Sequence, residues 1–188
     1  MKKGAVSVLT LVVSLGLVGP AYAQEAYIGA RYGWSRHKTK FSAFGIRYKS
    51  DYSDAFGVQL GLRGRHLGIE ANYYETDHFL NPLATPPAEL DVERLELSNI
   101  GLNVIYFFSI PYLEPYVTAG YASYRVNVVG LQKDKSGGFN LGLGLSLRLL
   151  KSISLVVEGK YHWVDFIIKG DTLELNDLFL SLSFNYYF

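Results

Sequence analysis

A period of two constrains this chain more than any other feature. Over its last eleven residues, Leu178, Leu180, Leu182, Phe184, Tyr186 and Phe188 are large and apolar or aromatic, and Ser181, Ser183 and Asn185 fall between them. Successive side chains of a strand point to opposite faces, so this is a strand with one apolar and one mostly polar face. Seven further segments repeat the pattern, near 26–35, 55–63, 67–75, 95–108, 116–126, 140–149 and 153–163. Ile28, Ala30, Tyr32 and Trp34 oppose Tyr27, Gly29, Arg31 and Gly33 in the first. Phe56, Val58, Leu60 and Leu62 oppose Gly57, Gln59, Gly61 and Arg63 in the second. The sixth has leucine at 141, 143, 145, 147 and 149, against Asn140, Gly142, Gly144, Ser146 and Arg148. In the fourth, Leu95 and Leu97 have the opposite parity to Ile100–Phe108, which predicts a bulge or a loss of lipid contact near Ser98.

Each segment is too short to bury a sheet by itself, yet roughly the right length to cross a hydrocarbon layer as a tilted strand. Eight strands joined up and down close without edges, and closure is compulsory in lipid, where unpaired backbone groups cost several kcal/mol each. The predicted fold is all-β, an eight-stranded antiparallel up-and-down transmembrane β-barrel. Connection lengths agree with it. Odd segments are followed by long connections (36–54, 76–94, 127–138 and 164–176) and even ones by short turns near Gly64, Ile110–Glu114 and Leu150–Ser152. Short turns on the periplasmic side and longer external loops mark outer-membrane barrels. Aromatic residues gather at segment ends (Trp34, Tyr73, Tyr74, Tyr106, Phe107, Phe108, Tyr112, Tyr116, Trp163, Tyr186, Tyr187 and Phe188), as interfacial girdles require.

The amino terminus reads as an address. Lys2 and Lys3 precede an apolar stretch to Val18, Gly19-Pro20 breaks it, and Ala21-Tyr22-Ala23 fits a small-x-small cleavage site. Residues 1–23 are therefore expected to be a secretory signal peptide, and 24–188 a single barrel domain. Cleavage leaves 16 of the 18 basic residues against 17 acidic ones, a net charge of −1, which gives no electrostatic case for nucleic acid. Cysteine is absent, which excludes disulfides, thiolate metal sites and an amino-terminal lipid-modified Cys.

Gly29–Trp34 (Gly-x-Arg-Tyr-Gly-Trp), Gly68–Tyr74 (Gly-Ile-Glu-Ala-Asn-Tyr-Tyr), Glu114–Tyr121 (Glu-Pro-Tyr-Val-Thr-Ala-Gly-Tyr) and the terminal Phe188 resemble the small eight-stranded outer-membrane barrels typified by OmpA, OmpX and NspA. The resemblance covers the whole mature chain. It implies residence in the bacterial outer membrane with loops facing the exterior. It also implies partners in outer-membrane lipid and lipopolysaccharide, periplasmic chaperones and the barrel assembly machinery, which would read Tyr186 and Phe188. Members so related include adhesins, host-factor binders and structural proteins, so no single activity follows.

The inner face carries the candidate chemistry. Arg31, Arg63, Glu70, Arg148, Glu158, Lys160 and His162 are expected in the lumen with Gln59, Asn72, Asn103 and Asn140. Buried charges must pair, so ion pairs are expected between Glu70 or Glu158 and Arg31, Arg63, Arg148 or Lys160. An eight-stranded interior is narrow enough for side chains to fill, which favours a polar plug over an ion or small-solute channel. Some barrels of this size modify lipid A with a Ser and a His in reach. The His-x-Ser pairing of the deacylases is missing at His37, His66, His78 and His162, so an enzyme is not expected. His78 with Glu75 and Asp77 makes no defined metal geometry, and neither metal nor cofactor is expected. Basic residues of the first long connection, Arg36, Lys38, Lys40, Arg47 and Lys49, are the candidate lipopolysaccharide contacts. The expected protein is a monomeric, non-enzymatic barrel with a structural or surface-binding role. A soluble lipocalin-like carrier is disfavoured because the leucine rows would face inward there. Leu145→Arg is expected to destabilise by about 2–4 kcal/mol, and Gly144→Ser much less unless that lumenal site is too crowded.

Overall fold

A computed structural model describes residues 25–41, 46–47, 52–79, 94–108, 110, 112–128, 133–168 and 171–188; the expected signal peptide and Lys49 lie outside them. The eight long strands are β1 (Glu25–Phe41), β2 (Tyr52–Arg63), β3 (Leu67–Phe79), β4 (Arg94–Phe107), β5 (Leu113–Val128), β6 (Lys133–Leu150), β7 (Ile153–Ile168) and β8 (Asp171–Tyr187). Each pairs antiparallel with its sequence neighbour, and β1 closes on β8 from Tyr27–Tyr187 to Phe41–Leu173. Phe188 extends that seam, exchanging two backbone hydrogen bonds with Ala26 at 3.0 and 3.3 Å. The barrel is therefore closed to the last residue, and every strand within the lipid has two partners.

Alternation holds on all eight strands. Leucine, isoleucine, valine and aromatic side chains of one parity are exposed on the outer wall; the other parity is buried. Glycine on the inner parity makes room for rings from the neighbouring strand. Tyr27 lies over its register partner Gly61, and Tyr116 over Gly144, so close that a Cβ at either glycine would overlap the ring. Four aromatics expected in the girdles, Tyr74, Phe107, Tyr116 and Tyr187, are instead buried inside, because parity rather than position in the segment decides facing.

The upper barrel corrects one expectation and decides between the alternatives of another. Strands run 12 to 18 residues, well beyond the roughly 9–11 needed to span. Much of the four long connections is thus strand: β5 and β6 come within 129–132, and β7 and β8 within 169–170. Polar side chains do not end a strand once water surrounds it, since the backbone ladder continues regardless. Ile46–Arg47 adds a two-residue pairing with Lys40–Phe41. Of the two readings expected near Ser98, the bulge is absent, since β4 stays in register with β3 and β5 throughout, and the loss of lipid contact is the one that fits. Leu97 is buried within the barrel, while Glu96 and Ser98 face outward above the lipid. Leu97 is joined inside by Val126, Val164, Phe166 and Leu175. The polarity of the wall therefore inverts above the upper girdle of Tyr32, Trp34, Phe56, Tyr73, Tyr121, Phe139 and Trp163. Below it the outside is apolar and the inside largely polar; above it Asp54, Glu75, Asp77, Glu96, Arg125, Lys135 and Asp165 face out, over an interior in which these apolar side chains accompany the polar Ser35, Ser53, Thr76 and Asp177.

At the opposite rim the links are tight. Gly64 N–H donates to the Leu67 carbonyl at 2.7 Å, and Tyr187 N–H to that of Ser152 at 2.8 Å. Tyr112 takes the left-handed conformation (φ 68°) in the turn between β4 and β5. The expected turn Ile110–Glu114 ends sooner, since the strand already begins at Leu113 and includes Pro115, whose carbonyl accepts from Phe108 N–H at 2.8 Å. Its missing donor is tolerated near a strand start.

Candidate functional site

The lumen brings together residues distant in sequence because inward parity from five strands converges on one axis. Arg31 of β1 is its centre. The guanidinium reaches Glu70 of β3 at 3.2 Å and Glu158 of β7 at 3.0 Å, and its Nε donates to Ser183 of β8 at 3.2 Å. Lys160 adds a second cation to Glu158 at 3.0 Å. The outer carboxylate oxygens accept from phenols: Tyr27 to Glu70 and Tyr116 to Glu158, both at 2.9 Å. All seven groups are buried. Each carboxylate thus has a cation and a hydroxyl, the condition under which buried charge is tolerated.

Around this centre are neutral polar contacts. Asn103 donates to Asn72 at 2.9 Å, Asn72 to Asn99 at 3.4 Å, and Gln59 to Asn185 at 2.6 Å. Towards the exterior, Tyr124 and His162 Nδ1 share a hydrogen bond, and Ser35 donates to Asp177 at 2.6 Å. The Tyr74 and Phe179 rings stack there at 4.8 Å. Towards the short-turn rim, Ile105, Phe107, Tyr116 and Val156 form an apolar layer. The charged layer is therefore bounded by an apolar layer towards the short-turn rim and by a mixed layer towards the exterior, where Ala55, Tyr74 and Phe179 pack beside these polar groups. Between Tyr27, Gln59, Glu70 and Tyr116 lies a cavity of about 10 Å³, room for one water at most.

All seven predicted lumenal residues face inward, and Arg31 and Lys160 pair with Glu70 and Glu158 as expected. Arg63 and Arg148 do not. Arg63 pairs with Glu114 at 2.5 Å over the Phe107 ring, and Arg148 with Glu25 at 2.6 Å over the Tyr187 ring. Both arginines lie near the end of their strands, at the rim: Arg63 is opposite Gly68 and Arg148 opposite Ser154, one and two inward positions from Glu70 and Glu158. The lumenal anions are consequently more numerous than predicted, with Asp177 inside and Glu25 and Glu114 at the rim. Asp177 and Phe179 were legible from parity, since they continue the inward row of Ser181, Ser183 and Asn185.

Outside the lumen, Arg36 is exposed on the outer wall, 5.3 Å from the Tyr52 ring centroid. Lys40 and Arg47 are register partners and Lys38 lies on the same strand, but the side chains of these three, and all of Lys49, fall outside the described residues. Tyr186 and Phe188 project outward at the short-turn rim. His66 Nδ1 lies 3.3 Å from the Phe107 carbonyl. Among the described residues there is no group of three or more His, Cys, Asp or Glu side chains placed to hold a metal ion.

A family model described as the outer membrane protein beta-barrel domain matches residues 8–188. Among solved structures, the barrel is similar to neisserial surface protein A (18% identity, 87% of this chain and 97% of that one, TM-score 0.66). It is also similar to the outer membrane protein OprG of Pseudomonas aeruginosa (13%, 89% and 97%, TM-score 0.62). The outer membrane protease OmpT of Escherichia coli matches at 10% identity over 88% of this chain and 97% of that one, TM-score 0.54. At these identities the likeness is one of fold. No curated protein sequence matches the chain.

Proposed function

This chain belongs to the outer membrane protein β-barrel domain family and resides in the bacterial outer membrane, and from that premise we propose a non-enzymatic, monomeric barrel with an envelope-structural or surface-binding role. The observation that carries this is the packed lumen: the buried Arg31–Glu70–Glu158–Lys160 cluster with packed layers on both sides and a cavity of only about 10 Å³ beside it. A wall so filled holds its cross-section and presents its hairpins outside on a rigid base, where binding residues commonly reside. Planar-bilayer recording tests it. Pure protein gives no steady single-channel steps on this reading; reproducible steps would sink it and favour a narrow channel.

Fold similarity to a protease makes catalysis worth testing directly. Lipopolysaccharide incubated with the purified protein keeps its acyl chains by mass spectrometry if the barrel is not a lipid-modifying enzyme. Arg36, Lys38, Lys40, Arg47 and Lys49 remain the proposed lipopolysaccharide contacts of the first hairpin. Tyr186 and Phe188 are the proposed residues read by the assembly machinery, both on the lipid face of the closing strand.

A further inference from the structure

We infer that the exterior end of the wall takes up an added strand between β6 and β7, an extended segment of an extracellular protein that pairs with both edges of this seam. The last register pair joining the two strands is Gly138 with Val164. Both strands continue past it, β6 to Lys133 and β7 to Ile168. Residues 133–137 keep partners 123–127 on β5, and 165–168 keep 171–174 on β8. Among the described residues, no register pair joins 133–137 to 165–168. The two segments thus diverge while each remains a strand, and each turns toward the other an edge outside any ladder.

The wall forks in the same way between β2 and β3. Their pairing ends at Ala55 and Thr76, although the strands reach Tyr52 and Phe79. The forks are four strands apart. Above the girdle the described wall is therefore two four-stranded sheets, β3–β6 and β7–β8–β1–β2, which can part without losing a ladder bond. The β6–β7 fork is the longer, and it starts at Gly137-Gly138, where the backbone changes direction at least cost. A side-chain hydrogen bond from Ser136 Oγ to the Asp165 carbonyl spans its base. That carbonyl therefore faces β6, as does the backbone of alternate residues beyond it.

A strand edge outside a ladder is a template for another strand, and main-chain hydrogen bonds supply the affinity. Side chains set the pattern of the partner. Inside the fork, Val164 and Phe166 are buried, and so are Val126 and Leu175 on the strands flanking it. Outside it, Lys135 and Asp165 are exposed, with opposite charges. An entering segment therefore needs apolar side chains at alternate positions and polar ones between them. This pattern is a polypeptide's; lipids and glycans have no run of backbone donors and acceptors spaced along a strand. Since β6 and β7 are antiparallel, the segment is parallel to one of them and antiparallel to the other. The inference rests on the surface-binding arm of the proposed function and names its partner class.

Full-length protein folded in neutral detergent tests it, probed with a peptide of alternating threonine and valine and with the same peptide N-methylated at every second residue. The unmethylated peptide should bind saturably and slow hydrogen exchange at amides of 133–137 and 165–168. Its methylated twin has one edge blocked and should bind weaker by roughly tenfold or more. Lys135→Cys/Ile167→Cys places a cysteine pair where a continued register would join them, in a chain with no other cysteine. Oxidised, with the bond verified by thiol titration, this variant should lose the peptide; reduced, it should regain it, which separates a closed seam from a damaged fold. The inference is overturned by equal binding of the two peptides, by binding of neither, by protection elsewhere in the wall, or by binding that survives oxidation. Capture of serum protein by intact cells that is the same in the oxidised and reduced variant removes the seam and leaves the surface-binding reading standing.

Discussion

Arg31 divides its guanidinium between Glu70 and Glu158, and each carboxylate also accepts a phenol hydroxyl. Removing the cation leaves buried carboxylates under-compensated, Glu70 most of all. Arg31→Met should cost about 3–5 kcal/mol, read as a lower urea midpoint for the barrel folded into lipid vesicles. The glycines of the inner row impose a different residue-scale constraint. Gly144 looks replaceable from its polar-facing parity, but the Tyr116 ring covers it and Tyr116 holds Glu158. Gly144→Ser should therefore destabilise by about 1–3 kcal/mol, as overpacking does, approaching the roughly 2–4 kcal/mol of Leu145→Arg in the lipid-facing row. Comparable losses in the same unfolding assay support the covered glycine; a silent Gly144→Ser refutes it. The sequence showed that Gly144 faces inward, but not that a ring from the neighbouring strand occupies the space above it.

At the scale of the element, each strand carries one unbroken alternation through two solvents. Below the girdle the outward row meets lipid and is apolar; above it the same row meets water and is charged. The inward row changes the other way, to Leu97, Val126, Val164, Phe166 and Leu175. Leu97 therefore behaves as a core residue and Glu96 as a surface one. Leu97→Ala should cost about 2–5 kcal/mol, whereas Glu96→Ala should stay within about 0.5 kcal/mol, compared by denaturant titration. An equal effect at both positions would contradict the inversion. The apparent phase change at Leu95–Leu97 was visible in the sequence. Its cause was not, because a swap of solvents and a bulge produce the same pattern in a single strand. Only the continuous register of β4 with both neighbours separates them.

For the whole molecule, the decisive contact is between its ends, β1 with β8, completed by the Phe188–Ala26 hydrogen bonds. If the outward Tyr186 and Phe188 are read during assembly, Phe188→Ala should lower the amount of closed barrel in outer membranes several-fold. The purified variant should still refold in detergent with nearly native stability, because the ring makes few contacts inside the wall. Loss of both together would assign Phe188 to stability instead. The sequence by itself determined strand number, the facing of each strand and the closure of the barrel, since a period of two is a local property and lipid leaves no other way to satisfy the backbone. Only the tertiary structure decided which lumenal charges meet. Pairing depends on the stagger between neighbouring strands around the wall, which sends Arg63 and Arg148 to Glu114 and Glu25 at the rim and leaves Arg31 and Lys160 with the central carboxylates.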